Sequence, residues 1–374
     1  MEIEQIKYWL ALNRTSGIGR ARFQRLESYF DSMEAAWSAG AAELRAAGLD
    51  RRAVRAVVDG RRTVDPDAEA DRLLRSGVRA LTWHDDEYPA RLKEIYDLPP
   101  LLYVRGTLHP EDARSVAVVG TRNPSHYGRE VAEQMVYDIA RAGVTIVSGL
   151  ARGVDGIAHR VTLDAGQRTI AVLGSGLDII YPPEHTNLSE QIADNGALLS
   201  EYPLGTKPDP RNFPRRNRIM SGMTLGTLVI EAGGKSGALI TAQQALEENR
   251  EVFAVPGSVF NKTSKGTNKL IRKGEAKLVT SYEDVLEELN LTAVERQIEM
   301  AALFPEDDDE ADLLRYITFD PVHVDEVCRS SGRTAPDVSS MLAMMELKGL
   351  VKQVGGMNYV RMREVSDEYS ASAV

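Results

Sequence analysis

The sequence predicts an α/β protein: an extended, Rossmann-like doubly wound parallel sheet, with a helical segment (SAM- or helix-hairpin-helix-like) before it and a winged helix after it. Three observations predict this. Seven short apolar runs between residues 113 and 290 alternate with helical stretches: "SVAVVG", "VTIVSG", "TIAVLG", "ALLSEY", "TLVIEA", "EVFAVPG" and "KLVTS". Most of these runs end in glycine and lead into a helix, the pattern of parallel strands covered on both faces. Residues 313–362 then read helix, helix, helix, hairpin, with Gly355-Gly356 as the hairpin turn.

The segments follow in order. Residues 1–64 read as helical, beginning with "EIEQIKYWLALNR" at helical spacing. The "GIG" at 17–19 is either a glycine turn between packed helices or a helix-hairpin-helix, in which N–H groups at a helix start face a phosphate. Residues 65–112 mix strand-like runs with prolines and are expected to pack on the sheet, so 65–290 forms one extended domain with its core at 113–290. An acidic linker is expected at 291–312, where "EDDDEAD" lies, the winged helix at 313–362, and a disordered tail at 363–374.

Composition narrows the function classes. The single cysteine, Cys328, excludes an intramolecular disulfide and any multi-cysteine zinc site, and suits a reducing compartment. No apolar run reaches the roughly 20 residues of a membrane span. The opening "MEIEQIKYWL" lacks a basic n-region. The expected location is the cytoplasm. A net charge of −10 argues against a nucleic-acid partner for the surface as a whole. The charge is uneven, however, because residues 211–218, "RNFPRRNR", hold four arginines and no acid.

In a doubly wound sheet, ligands sit beyond the carboxyl ends of the strands. Small, polar and basic residues gather there: Gly120, Thr121 and Arg122; Ser148, Gly149, Arg152 and Gly153; and the run "GGKSGALIT" with Gly234, Lys235, Ser236, Gly237 and Thr241. This last run is not a nucleotide-binding P-loop. The position that needs its first glycine is Val229, inside a strand. A short glycine turn ahead of a helix can still offer N–H groups and the helix dipole to one phosphate, or simply be a turn. The dinucleotide fingerprint is also missing, so no cofactor is expected. In "RNFPRRNR", Arg211, Arg215, Arg216 and Arg218 can each meet a phosphate, and Asn217 a base edge. Phe213 adds a stacking face, and aromatic plus arginine is what single-stranded nucleic acid needs. The competing reading is a solvated basic helix face. Asp155 and His159 share a helix face, but without a third ligand they read as a structural pair or a capping Asp, and no metal is expected. No nucleophile motif appears, and Ser175 has no evident base, so no catalytic residue is assigned. The third helix of the winged segment is poor in basic residues. From residue 291 onward there are sixteen acids and eight basic residues, which suits duplex DNA badly.

The motifs "VGTRNPSHYG", "SGLARGVDGIAH", "GSGLDIIYPPEH", "LSEYPLGTKP", "FPRRNRI", "EAGGKSGALITAQQALEENREVFAVPG" and "GTNKLIRKGEAKLV", in this order, resemble the DNA-processing protein A (DprA/Smf) family. The resemblance covers nearly the whole chain. It implies an extended Rossmann fold without a nucleotide cofactor and sequence-independent binding of single-stranded DNA. It further implies delivery of that DNA to the RecA recombinase in natural transformation, and a homodimer formed through the Rossmann domain. The family's single-strand contacts map onto Arg122, Phe213, Arg216 and Arg218. Many relatives carry a basic residue where Pro183 stands here, and Arg211 lies near where some use lysine. The stretch "LIRKGEAKLV", with Leu270, Ile271 and Leu278, is the expected dimer face.

Two other functions compete. Related Rossmann-like folds hydrolyse nucleoside monophosphates, and Glu231 of "EAGGKSG" is a candidate acid for that chemistry. A winged-helix regulator of duplex DNA is the other.

Overall fold

The central strands are buried because both of their faces are apolar. In β3 (Ser115–Val119) every residue is buried. Val116 and Val118 point into one core, while Ala117 and Val119 point into another on the opposite face. The computed structural model describes residues 3–291, 312–318, 321–347 and 350–361, so the expected acidic linker and terminal tail fall almost wholly outside it.

Beside β3 lie β4 (Thr145–Ser148), β5 (Thr169–Val172), β6 (Ala197–Ser200), β7 (Gly226–Val229), β8 (Glu251–Ala254) and β9 (Lys277–Leu278). Two earlier strands, β1 (Arg79–Thr82) and β2 (Leu101–Gly106), complete one sheet in the order β1-β2-β6-β5-β4-β3-β7-β8-β9. Strands β3 to β9 pair in parallel, and β2 closes on β6 antiparallel, with Tyr103 opposite Ser200. All seven apolar runs of the sequence are therefore strands. The connector at 65–112 supplies two more.

The crossover from β3 runs one way along the sheet, to β4, β5 and β6. The chain then returns to β7 on the other side of β3 and continues to β8 and β9. Strands β3 and β7 thus flank the topological switch point. Helices α7 (His126–Arg141), α8 (Val154–Asp164) and α13 (Tyr282–Glu288) cover the Val116–Val118 face. Helices α10 (Asn212–Met223), α11 (Ala238–Glu247) and α12 (Lys265–Lys273) cover the other.

Six helices precede the sheet: α1 (Ile3–Arg14), α2 (Arg20–Tyr29), α3 (Met33–Ser38), α4 (Ala41–Ala46), α5 (Arg51–Gly60) and α6 (Pro66–Arg75). Asp50 caps α5, accepting from the Ala53 N–H at 2.9 Å. Trp9 stacks on Phe23 at 5.2 Å. These rings share one core with Leu101, Tyr103, Ala171 and Leu198 of the sheet and with α9 (Thr186–Asn195). The "GIG" is a turn with Gly17 at φ +85°, and it starts α2. The guanidinium of Arg20 sits 5.3 Å from the Tyr96 ring centroid.

The chain divides into two compact units at Leu291. In the second, β10 (Val322–His323), β11 (Val351–Gln353) and β12 (Asn358–Arg361) form a sheet in the order β10-β12-β11, with α14 (Val324–Ser331) and α15 (Ala335–Leu347). Its methionines divide: Met345 is fully buried with Leu342 and Val338, whereas Met344 is 51% exposed.

Candidate nucleic-acid interface

A groove of about 800 Å³ opens at the switch point, between the ends of β3 and β7. Gly120, Thr121 and Arg122 form one wall, and Gly234 to Gly237 form another with Thr241 behind them. Phe213, Arg216 and Asn217 of α10 form the floor. An adjoining cleft of about 30 Å³ includes Gly149 and Arg152.

Glycines set the closeness of these loops. Gly153 has φ +75°, and a Cβ there would lie 2.4 Å from the Thr121 carbonyl oxygen. Gly174, at the end of β5, has Phe213 lying over it, so that an added Cβ would meet the ring at 3.0 Å. Asn212 donates to the Gly174 carbonyl at 3.0 Å and pins the start of α10 to that strand end. The Phe213 ring is half-buried, 5.8 Å from the Tyr181 ring and tilted 39° to it. The Arg122 guanidinium stands 6.0 Å from the Phe213 centroid, within reach of a cation–π contact.

The basic residues divide into two sets. Arg122, Arg215 and Lys235 are exposed and have no carboxylate partner among the described residues. Lys262, which the sequence reading missed, is a fourth such cation and lines the groove. Arg216 and Arg218 are 4% and 8% exposed. Arg216 donates to the carbonyls of Gly149, at 2.8 Å, and Val172. Asp155, buried beside it, accepts from the N–H groups of Gly149 and Ala151 at 3.2 and 3.3 Å. Burial pulls Arg216 down to about 10 and pushes Asp155 up, and each charge opposes the other's shift. The guanidinium and the carboxylate thereby clamp the loop after β4 from within. Arg218 forms a bidentate pair with Glu201, at 2.8 and 3.1 Å, and also meets Asp97.

The expectation that Arg216 and Arg218 contact phosphates meets buried side chains: Arg218 is engaged through all three guanidinium nitrogens, and Arg216 is held through Nε and Nη1 while it lines the groove floor. Arg211 is exposed but bound to Asp209 at 2.8 and 2.9 Å, and Arg152 is paired with Glu184. Ser148 is fully buried, its hydroxyl donating to the Val118 carbonyl at 2.7 Å, so it too is removed from the interface. Asn217 is 8% exposed, its side-chain oxygen accepts from Arg216, and it lines the groove floor. Leu270 is corrected as a dimer-face residue, because it is 7% exposed and belongs to the core under β8, whereas Leu278 is 46% exposed.

Lys235 sits in the turn ahead of α11, where Ser236 N–H donates to the Gly233 carbonyl at 3.0 Å. At the helix start the Ala238 N–H donates to the Ser236 hydroxyl at 3.3 Å, and the Leu239 and Ile240 N–H groups donate to the Ser236 and Gly237 carbonyls at 3.1 and 3.0 Å, so the first turn is satisfied within the protein and Lys235 carries the local attraction for an anion. Glu231 is buried and accepts from the Ser125 N–H and hydroxyl, both at 2.8 Å. Asp155 acts as a loop cap, and His159 bonds Thr169 at 2.7 Å instead. Among the described residues no group of three metal-ligating side chains occurs. Tyr181 and Lys262 carried a usable signal: each follows a strand end, Tyr181 in "GSGLDIIYPP" and Lys262 in "PGSVFNK".

A family model described as DNA recombination-mediator protein A matches residues 79–290, and one described as the DprA winged helix domain matches residues 298–357. The Protein Smf of Synechocystis sp. is 35% identical over 391 residues, spanning 95% of this chain and 98% of its own. The DNA processing protein DprA of Bacillus subtilis is 46% identical over 57% of this chain and 72% of that protein. The crystal structure of DNA processing protein A from Streptococcus pneumoniae superposes with a TM-score of 0.67 at 36% identity, covering 75% of this chain and 97% of that one. DNA processing protein A from Helicobacter pylori, whose structure describes a single-stranded DNA binding mode, gives 0.51 at 31% identity over 56% of this chain and 95% of its own.

Proposed function

The chain belongs to the DNA recombination-mediator protein A (DprA/Smf) family, and from that premise we propose that its groove binds single-stranded DNA without reading sequence and passes the strand to a RecA-type recombinase in natural transformation. One observation carries the binding reading. Two aromatic rings, Phe213 and Tyr181, lie in a groove lined by Arg122, Lys235 and Lys262, with Arg215 exposed on α10, and none of these four cations has a carboxylate partner among the described residues. Rings accept any base by its face, and cations follow the backbone. Four phosphate contacts give an expected slope of log affinity against log salt near about −3, from roughly 0.7 per phosphate on a single strand.

The groove is read as a binding site, without turnover. Glu231, the candidate acid of the hydrolase alternative, has both oxygens engaged by Ser125. The expected homodimer is kept as part of the proposal, with Ile271 and Leu278 at its face. No helix among the described residues is long and apolar enough to cross a membrane, and we place the activity in the cytoplasm. The test is oligo-dT binding by gel shift with Arg122→Ala and Phe213→Ala combined. The expected result is a loss of at least about tenfold, the scale of one base–aromatic stack. Wild-type affinity in that variant refutes the groove.

A further inference from the structure

From Val252 to Gly274 the sequence carries five cations and no acid, in a chain whose net charge is −10. Lys262, Lys265, Lys269 and Arg272 are all exposed, and none has a carboxylate partner among the described residues. Lys273 pairs with Glu275 at 2.6 Å. At the tip of the loop between β8 and α12, Val259 is 74% exposed and Phe260 is 91% exposed.

The base of this loop is fixed. Asn268 donates to the Gly257 carbonyl at 2.8 Å and accepts from the Gly257 N–H at 3.2 Å. The Tyr127 hydroxyl donates to the Pro256 carbonyl at 2.9 Å. The Gly266 N–H donates to the Ala232 carbonyl at 2.7 Å, which staples the start of α12 to the end of β7. Lys262 lines the groove, and its carbonyl lies over Gly233. The loop thus holds an aromatic ring in water on a pinned base beside the groove, and α12 carries a basic stripe away from it.

We propose that this loop and helix form a second platform for the same unpaired strand: Phe260 stacks a base beyond the groove, while Lys265 and Lys269 take the phosphates that follow. The proposal rests on the reading of the groove as a single-strand site. The chemistry repeats that of the groove, a ring for a base face and ammonium groups for the backbone, and is indifferent to sequence. Lys265 and Lys269 are four residues apart and share one face of α12, opposite the buried Leu270. Charge selects this occupant over a second copy of the chain. A two-fold contact centred on the loop sets these cations against themselves.

The test uses the full chain, with fluorescence anisotropy on oligo-dT of about six and about twenty nucleotides, lengths that bracket one and several contact sites. Phe260→Ala and the double variant Lys265→Gln/Lys269→Gln are expected to bind the short oligomer as wild type does. Each is expected to bind the long one about tenfold more weakly, and the lysine variant also loses about 1.4 from the salt slope. Phe260→Trp restores the affinity, and its emission is quenched by the long oligomer. Unchanged long-oligomer binding in both variants, beside a wild type that binds both lengths, overturns this proposal alone. A wild type that binds neither length overturns the groove and the platform together. If Phe260→Ala abolishes self-association in sedimentation and leaves long-oligomer affinity intact, the surface belongs to a second copy and the proposal fails.

Discussion

The inner and outer sides of α10 use the same residue type for opposite purposes. On the inner side, Arg216 and Arg218 are buried and held by protein acceptors: the Gly149 and Val172 carbonyls for the first, which also lines the groove floor, and Glu201 and Asp97 for the second. On the outer side, Arg215 is exposed, and Arg122, Lys235 and Lys262 stand around the groove mouth without carboxylate partners among the described residues. A basic motif of a few residues therefore contains both the scaffold and part of the surface it supports. Arginine suits the first task because its fixed fork satisfies several acceptors at once in a dry site. It suits the second because the same fork is unoccupied.

The strongest way to break this contrast is Arg216→Ala. It removes the donors to the Gly149 and Val172 carbonyls and the positive charge that offsets the buried Asp155 carboxylate, and so frees the loop after β4. Each buried polar group left unsatisfied costs about 1–3 kcal/mol. The thermal midpoint should drop by on the order of 10 °C, and DNA affinity should fall with it. If binding is lost while the melting curve is unchanged, Arg216 belongs with the outer set. Next in size is the opposite case, Arg122→Gln with Lys235→Gln. Here the melting curve should stay in place while the salt slope for oligo-dT falls from about −3 to about −1.6.

A third comparison uses pH against salt. Beneath α10, the Ser221 hydroxyl donates to Glu248 at 2.6 Å, and burial pushes that carboxyl up to about 7, against the pull of Ser221 and Arg250. The folded pKa lies above the unfolded one, so the folded state holds the proton more tightly. Its contribution is complete below about pH 4.5 and is lost as pH rises through about 7. Glu248→Gln should remove this slope, raising stability above pH 7 by on the order of 1 kcal/mol once screening at the partly exposed site is allowed for. Urea titrations at pH 5 and pH 8 measure it. The smallest effect belongs to Arg211→Ala. An exposed pair such as Arg211 with Asp209 contributes at most about 1 kcal/mol, so affinity and stability should both stay within about threefold of wild type. A tenfold loss of binding would mean that Arg211 leaves Asp209 for the strand.

The seven parallel strands were legible because a strand buried on both faces must be continuously apolar, and the turn after it must let the chain approach the rim closely. The runs "SVAVVG" and "TIAVLG" have no other comfortable use. Strands β1 and β2 were harder to read, since they lie in a proline-containing stretch and pair antiparallel at the edge. Within the site, the aromatic–arginine association was readable in part. Phe213 and Arg122 are far apart in the chain, and only the doubly wound topology brings them together. Which arginines are inner and which outer was not readable. Arg218 finds Asp97 and Glu201 across long stretches of chain, and no local pattern announces those partners. Lys262 lies in the loop that follows Gly257, the glycine ending the run "EVFAVPG", so it is within reach of the strand-end rule.

The opening helices are joined to the sheet by a shared interior, and this limits how the chain can be trimmed. A version starting at residue 113 lacks β2 and leaves the backbone of β6 unpaired along one side. It also uncovers Leu198 and Ala171, which Trp9, Phe23 and their neighbours otherwise keep dry. Open strand edges beside bare apolar surface invite association between copies. The leading third of the molecule thus guards against aggregation, and sequence drift there is constrained by the shape of what it covers.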